Sequence, residues 1–167
     1  MKKIKFLVLA CTIMIGMNSC EKEGCTDENA INYNEDANKN DNSCNFVADE
    51  FVGTYKWTSP NGNETHICNI IKTSYNSLNI VNLTGEGKTF TGSVNNNTIT
   101  FDKYDNFYTG TNSSNTNITY SANVISGTGT LSSTTLTIGF TVENKTFTNN
   151  VLTETETNSV VQTLVKQ

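Results

Sequence analysis

Arginine is absent from the 167-residue chain, whose basic charge comes from 11 lysines set against 16 acidic residues, a formal net charge of −5. That balance argues against a nucleic-acid partner, which needs a basic surface against the phosphate backbone. Histidine is scarce as well. His66 is the single one, so no second imidazole stands ready for a metal, and no serine or cysteine nucleophile motif accompanies it. It reads as a strand residue facing water. The cysteines form no CxxC pair, no two titratable groups stand out as an acid–base couple, and no enzyme is expected. One fragment, Gly87-Lys88-Thr89, looks like the end of a phosphate loop, but Asn82 stands where the first glycine belongs and no helix follows. The match is chance.

Helical periodicity is missing throughout. Hydrophobic residues make up 35% and charged residues 16%, with Asn and Thr plentiful. Such a chain is too uncharged for solvated disorder and too rich in threonine for helices, which favours exposed antiparallel sheet. The Asn-x-Thr and Asn-x-Ser triplets at Asn63, Asn82, Asn112, Asn117 and Asn144 follow from this composition and need not mean glycosylation.

At the N-terminus, Lys2, Lys3 and Lys5 precede an apolar run over 6–16 and the small polar pair Asn18 and Ser19, the three-part pattern of a secretory signal. The run falls short of the roughly 20 residues a membrane helix needs. The stretch Met17-Asn18-Ser19-Cys20 resembles the lipobox of bacterial lipoproteins. This resemblance implies removal of residues 1–19 and attachment of acyl chains to Cys20, enough for stable anchoring because each buried methylene contributes about 0.8 kcal/mol. The alternatives are an uncleaved helix and an ordinary signal peptide with Cys20 a plain thiol. Loss of the three leader lysines takes the net charge from −5 to −8, which would hold the body away from anionic headgroups. Glu21-Lys22-Glu23 resembles the short export signal that carries Bacteroidetes lipoproteins to the cell surface; the other reading is solvated linker charge.

Residues 24–44 resemble a short Cys-bounded repeat of secreted Bacteroidetes proteins, similar to thrombospondin type 3 repeats. Gly24-Cys25-Thr26-Asp27, Ala30, Asn32-Tyr33-Asn34, Ala37, Asn40-Asp41 and Ser43-Cys44 carry the likeness, while Glu28 and Glu35 replace its prolines and Asn42 its glycine. The resemblance implies a Cys25–Cys44 disulfide. Outside the cytoplasm such flanking cysteines commonly pair, and the closed loop would gain on the order of 3 kcal/mol. Oxygen side chains at Asp27, Asn34, Asp36, Asn38 and Asp41 suit a calcium ion. The competing reading is an Asx-rich turn spacer whose side chains bond to their own backbone. Cys11 leaves with the leader, so Cys68 is the one cysteine left over, and it reads as a small buried hydrophobe.

From 49 to 167 the pattern is a series of short strands: 51–58, 66–72, 77–83, 89–94, 98–102, 117–124, 127–131, 134–142 and 159–165. Leu136, Ile138, Phe140 and Val142 alternate most cleanly. Leu78, Ile80, Val81 and Leu83 change phase, which predicts a bulge at Ile80-Val81. Eight or nine strands of this length predict an all-β, antiparallel up-and-down meander closed as a barrel. Gly53-Thr54-Tyr55, Gly127-Thr128-Gly129-Thr130-Leu131 and Leu136-Thr137-Ile138 resemble lipocalin-like lipoproteins of Bacteroidetes, with Tyr55 where the lipocalin motif carries tryptophan and Trp57 two residues on.

An eight-stranded barrel either packs solid or holds one small ligand. Its aromatic residues, Phe90 and Phe140 among them, serve either end. Tyr55 and Trp57 are candidate ligand contacts, as are Tyr104, Phe107 and Tyr108, whose setting beside Asp102, Asp105 and Asn106 reads as a loop at a pocket mouth. The expected function is a lipoprotein at the outer membrane, facing the cell exterior, that binds a small apolar or amphipathic ligand. The alternative is a surface adhesion or structural module that contacts host glycan or protein.

Overall fold

The computed structural model describes residues 21–59 and 61–167, with the backbone alone at 106, 107, 115 and 116. The expected leader, 1–19, and the lipid site at Cys20 lie outside the described residues. Among those described there is no α-helix, and the fold is all-β.

The N-terminal segment is held by covalent and local bonds because so short a stretch cannot bury a core. β1 (Glu23–Gly24) and β2 (Lys39–Asn40) form a two-residue parallel pair. Cys25 and Cys44 are disulfide-bonded, with Cα atoms 4.8 Å apart and Cys25 buried. The Glu21-Lys22-Glu23 trio folds back on this loop: Lys39 Nζ lies 2.9 Å from Glu21 and 2.8 Å from Glu23, and Lys22 pairs with Asp36.

A 3-10 turn (Val47–Glu50) opens the main body, its start fixed by the Phe46 N–H donating to Asp49 Oδ2 at 2.8 Å. It drives Ala48 and Phe51 wholly into the core. The nine strands that follow form one antiparallel sheet: β3 (Gly53–Thr58), β4 (Thr65–Ser74), β5 (Ser77–Val81), β6 (Thr89–Asn95), β7 (Thr98–Phe101), β8 (Tyr104–Asn112), β9 (Asn115–Ser132), β10 (Thr135–Thr148) and β11 (Val151–Lys166). Neighbours in sequence pair in order from β3 to β7. β7 then pairs with residues 127–130 of β9, while β8 takes the same edge of β9 farther along, from Tyr104↔Val124 to Asn112↔Asn115. β10 pairs with both β9 and β11, and β11 pairs with β3 at Trp57↔Leu164 and Tyr55↔Lys166.

Three local expectations are corrected. The segment around Tyr104, Phe107 and Tyr108 is strand β8 and not a loop. The two strands expected at 117–124 and 127–131 are one long strand, β9. Its register slips where Thr141 and Val142 of β10 face Ser126 and Val124, so Ile125 is the extra residue of a bulge. No bulge occurs at Ile80-Val81, which pair in step with Phe90 and Thr89; the phase changes because β5 ends there and Asn82 turns the chain at φ 64°, a conformation asparagine tolerates.

Alternation along each strand builds the core. Leu136, Ile138, Phe140 and Val142 of β10 all face inward, as do Phe90 and Val94 of β6 and Ile99 and Phe101 of β7. Gly127 and Gly129 of β9 make room for them. A Cβ at Gly127 would sit 2.6 Å from Phe140 Cδ1, and one at Gly129 would sit 2.8 Å from Ile99 Cγ2.

Candidate functional site

Tyr55 belongs to the core. It is fully buried, its Oη donates to the Phe51 carbonyl at 2.9 Å, and burial, together with the nearby Cys68, pushes its pKa up to about 12. Cys68 is a free, buried thiol, also raised by burial to about 12, so it stays protonated and inert. Trp57 lies half-buried and stacked on His66, with ring centroids 4.6 Å apart. His66 is not simply a solvated strand residue: its Nε2 lies 2.9 Å from the Leu83 carbonyl, which ties β4 to the β5–β6 loop.

Among the other ligand candidates, Tyr104 packs on Phe90 with centroids 4.8 Å apart. Tyr108 is 49% exposed on β8. The Phe107 side chain lies outside the described residues. Of the four whose side chains are described, Tyr104 reaches the wall of one cavity through Phe90, Tyr108 lines a separate surface groove, and Tyr55 and Trp57 line neither.

That cavity has a volume of about 170 Å³ and borders solvent at Val160, which is 40% exposed. Phe90 and Phe140, whose centroids are 6.1 Å apart, form its aromatic side, and Val124, Val142 and Val160 complete the apolar wall. Four strands and one loop supply it: β6, β9, β10 and β11, with Thr84 from the loop after β5. On its other side Phe140 packs against Phe101, with centroids 5.1 Å apart, and over Gly127. No charged side chain lines it. Two polar ones do, and both are unsatisfied: Thr84 Oγ1 and Gln162 Oε1 are buried without a hydrogen-bond partner. Native proteins leave few such atoms, since each costs about 1–3 kcal/mol.

A larger, shallower groove of about 390 Å³ runs over Gly139 on the outer face, floored by threonine and serine. Its lining contains no titratable group, and Phe101, Ile125, Phe140, Val160 and Val161 border it. Register also aligns Thr98, Thr130, Thr137 and Thr163 as a cross-strand row on that face.

The oxygens that suit calcium are engaged locally. Asp27 Oδ1 accepts from the Asn29 N–H at 2.9 Å, Asn34 Oδ1 from the Asp36 N–H at 3.2 Å, and Asn38 Oδ1 from the Lys22 N–H at 3.0 Å. Asp41 Oδ1 accepts from the Ser43 N–H at 2.9 Å; the Ser43 bonds hold its pKa below the usual carboxylate range, as the Lys22 hydrogen bond does for Asp36. The Asp27, Asn34 and Asp41 bonds are Asx turns, whereas Asn38 and Asp36 bond across the segment to Lys22. Among the described residues no three His, Cys, Asp or Glu side chains gather in a metal-holding group.

Phe90 and Phe140 were visible as aromatics of either core or pocket, whereas Thr84 and Gln162 belong to no motif and had no signal in the sequence. Comparison with known protein families, curated proteins and solved structures yields no match to this chain.

Proposed function

We propose that this chain is a lipid-anchored, extracytoplasmic binding protein. Its sheet closes as a lipocalin-like barrel, and the cavity between Phe90 and Phe140 takes up a small apolar or amphipathic ligand. The apolar cavity walled by Phe90, Phe140, Val124, Val142 and Val160 carries the reading. Pairing of the first barrel strand, β3, with the last, β11, supports closure, and the Cys25–Cys44 disulfide suits an oxidising compartment. In this reading acyl chains on Cys20 hold the protein at the outer membrane, and the disulfide-closed segment spaces the barrel from the lipid surface. Metabolic labelling with a clickable fatty acid should mark the wild type and fail to mark Cys20→Ser; equal labelling of both would refute the anchor.

A second reading, a cell-surface adhesion or structural module, is favoured by one observation. Residues 151–161 of β11 are exposed throughout and pair on one side only, with β10, because β3 meets β11 near Leu164. Such an edge can accept another strand. Cell or glycan-array binding that survives filling the cavity with Val124→Phe would support this reading over the first.

A further inference from the structure

We infer that the free edge of strand β11 takes up an extended segment of a partner protein that carries lysine or arginine at alternate positions, adding it to the sheet as a further strand. The inference rests on the reading of this chain as a surface interaction module and gives that module a partner chemistry. It is independent of what the Phe90–Phe140 cavity holds.

The edge itself comes first. From Glu154 to Val161 the strand pairs with β10 in unbroken register, and β3 joins it only from Leu164. That run is about 27 Å long at the usual rise of a strand. Among the described residues no strand or turn hydrogen-bonds to its other side, and a row of unpaired N–H and C=O groups is a template for another strand. Proline and lysine are common means of blunting such an edge. Residues 151–161 contain neither. The outer edge of β8 is a poorer template, because its register breaks between Tyr104 and Tyr108 and again between Thr111 and Asn112.

Charge then selects the occupant. Glu154 and Glu156 are the only charged residues of the run, both are exposed, and, two positions apart, they share one face. In register they lie beside Thr146 and Asn144 of β10, with Tyr120 and Ala122 of β9 beyond, so the rows they belong to hold no cation. Lys145 stands opposite Thr155, on the other face, and is paired with Glu143. A second copy of β11 laid antiparallel about a two-fold axis would put its own two glutamates on that same face, where like charges across the joint are destabilising. Alternate lysines or arginines would instead meet Glu154 and Glu156 as cross-strand pairs while their main chain completes the ladder.

The test uses blocked peptides that alternate threonine with lysine, glutamine or glutamate, and one that alternates proline with lysine, each titrated into the full chain while amide hydrogen exchange is followed. At low salt the threonine–lysine peptide should bind about three- to tenfold more tightly than the threonine–glutamine one, the margin expected of two opposite-charge cross-strand pairs, with the glutamate peptide weakest. It should also protect amides within 154–161. The margin should shrink as salt rises and vanish in the Glu154→Gln, Glu156→Gln double variant. Proline keeps the charge of the peptide but prevents a ladder, so the proline–lysine peptide should give no protection. Equal binding of the glutamine and lysine peptides would overturn the cationic partner and leave the edge a docking site. Equal binding of the proline–lysine peptide, or protection that falls away from β11, would overturn strand addition. A dimer of the chain alone that protects 154–161 would replace the partner by a second copy. Binding of none of the peptides would overturn the inference, and the interaction-module reading would then rest on cell and glycan-array binding alone.

Discussion

The Tyr55 hydroxyl donates a 2.9 Å hydrogen bond to the main-chain carbonyl of Phe51, four residues back, and so fastens strand β3 to the 3-10 turn that inserts Ala48 and Phe51 into the core. Tyr55→Phe keeps the ring and removes the donor. The stranded carbonyl should cost about 1–3 kcal/mol. Urea unfolding is expected to show a lower midpoint at unchanged slope; an unmoved midpoint would mean that the bond contributes nothing net.

Stability should fall in alkali. Burial raises Cys68 from 9.0 to about 12, and burial with Cys68 nearby raises Tyr55 from 10.0 to about 12. Both groups hold their protons more tightly in the folded chain than in the unfolded one. Their contribution is therefore complete below about pH 9 and is lost as pH rises toward about 12. Cys68→Ala should move the onset of the loss from about pH 9 to about pH 10, as seen in unfolding midpoints measured across this range. An onset that stays near pH 9 in the variant would contradict the assignment.

Two glycines on neighbouring strands should respond in opposite ways. Gly127→Ala puts a Cβ 2.6 Å from Phe140 Cδ1, so the ring must shift, and a loss of about 1–3 kcal/mol is expected, with altered Phe140 resonances. Gly139 faces outward with nothing within 4 Å of a Cβ. Gly139→Ala should be neutral or slightly stabilising, because the unfolded chain loses freedom. Equal effects at both positions in thermal melts would show that the inward and outward faces are misassigned.

Strands with one wet and one dry face were legible in the sequence. Leu136, Ile138, Phe140 and Val142 alternate in the text as they alternate in space, and Cys68 is the buried residue its isolation implied. Strands that run past the core were not. In β8, Tyr104 is half-buried while Asp105 and Tyr108 are exposed, so the alternation that marks a strand is absent and a loop was the natural reading. β11 failed in the same way, since its threonines and glutamates over 153–157 are exposed on both faces; periodicity reports burial, and there was none to report. β9 was divided in two because Ile125, the bulged residue, breaks the phase that its register with β10 repairs. The cavity was hidden for another reason. Thr84 and Gln162 lie 78 positions apart, a separation that only pairing of β11 with β3 and β10 folds into proximity, and neither residue type signals a site on its own.

In the proposed reading, the apolar cavity between Phe90, Phe140 and Val142 holds space for a guest. The most direct measurement is a crystal of the protein pressurised with xenon, which enters apolar cavities without needing a polar partner. A xenon atom between the Phe90 and Phe140 rings, absent in Val124→Phe crystals treated alike, is the predicted result. Side chains filling that space, with no xenon bound, would contradict it.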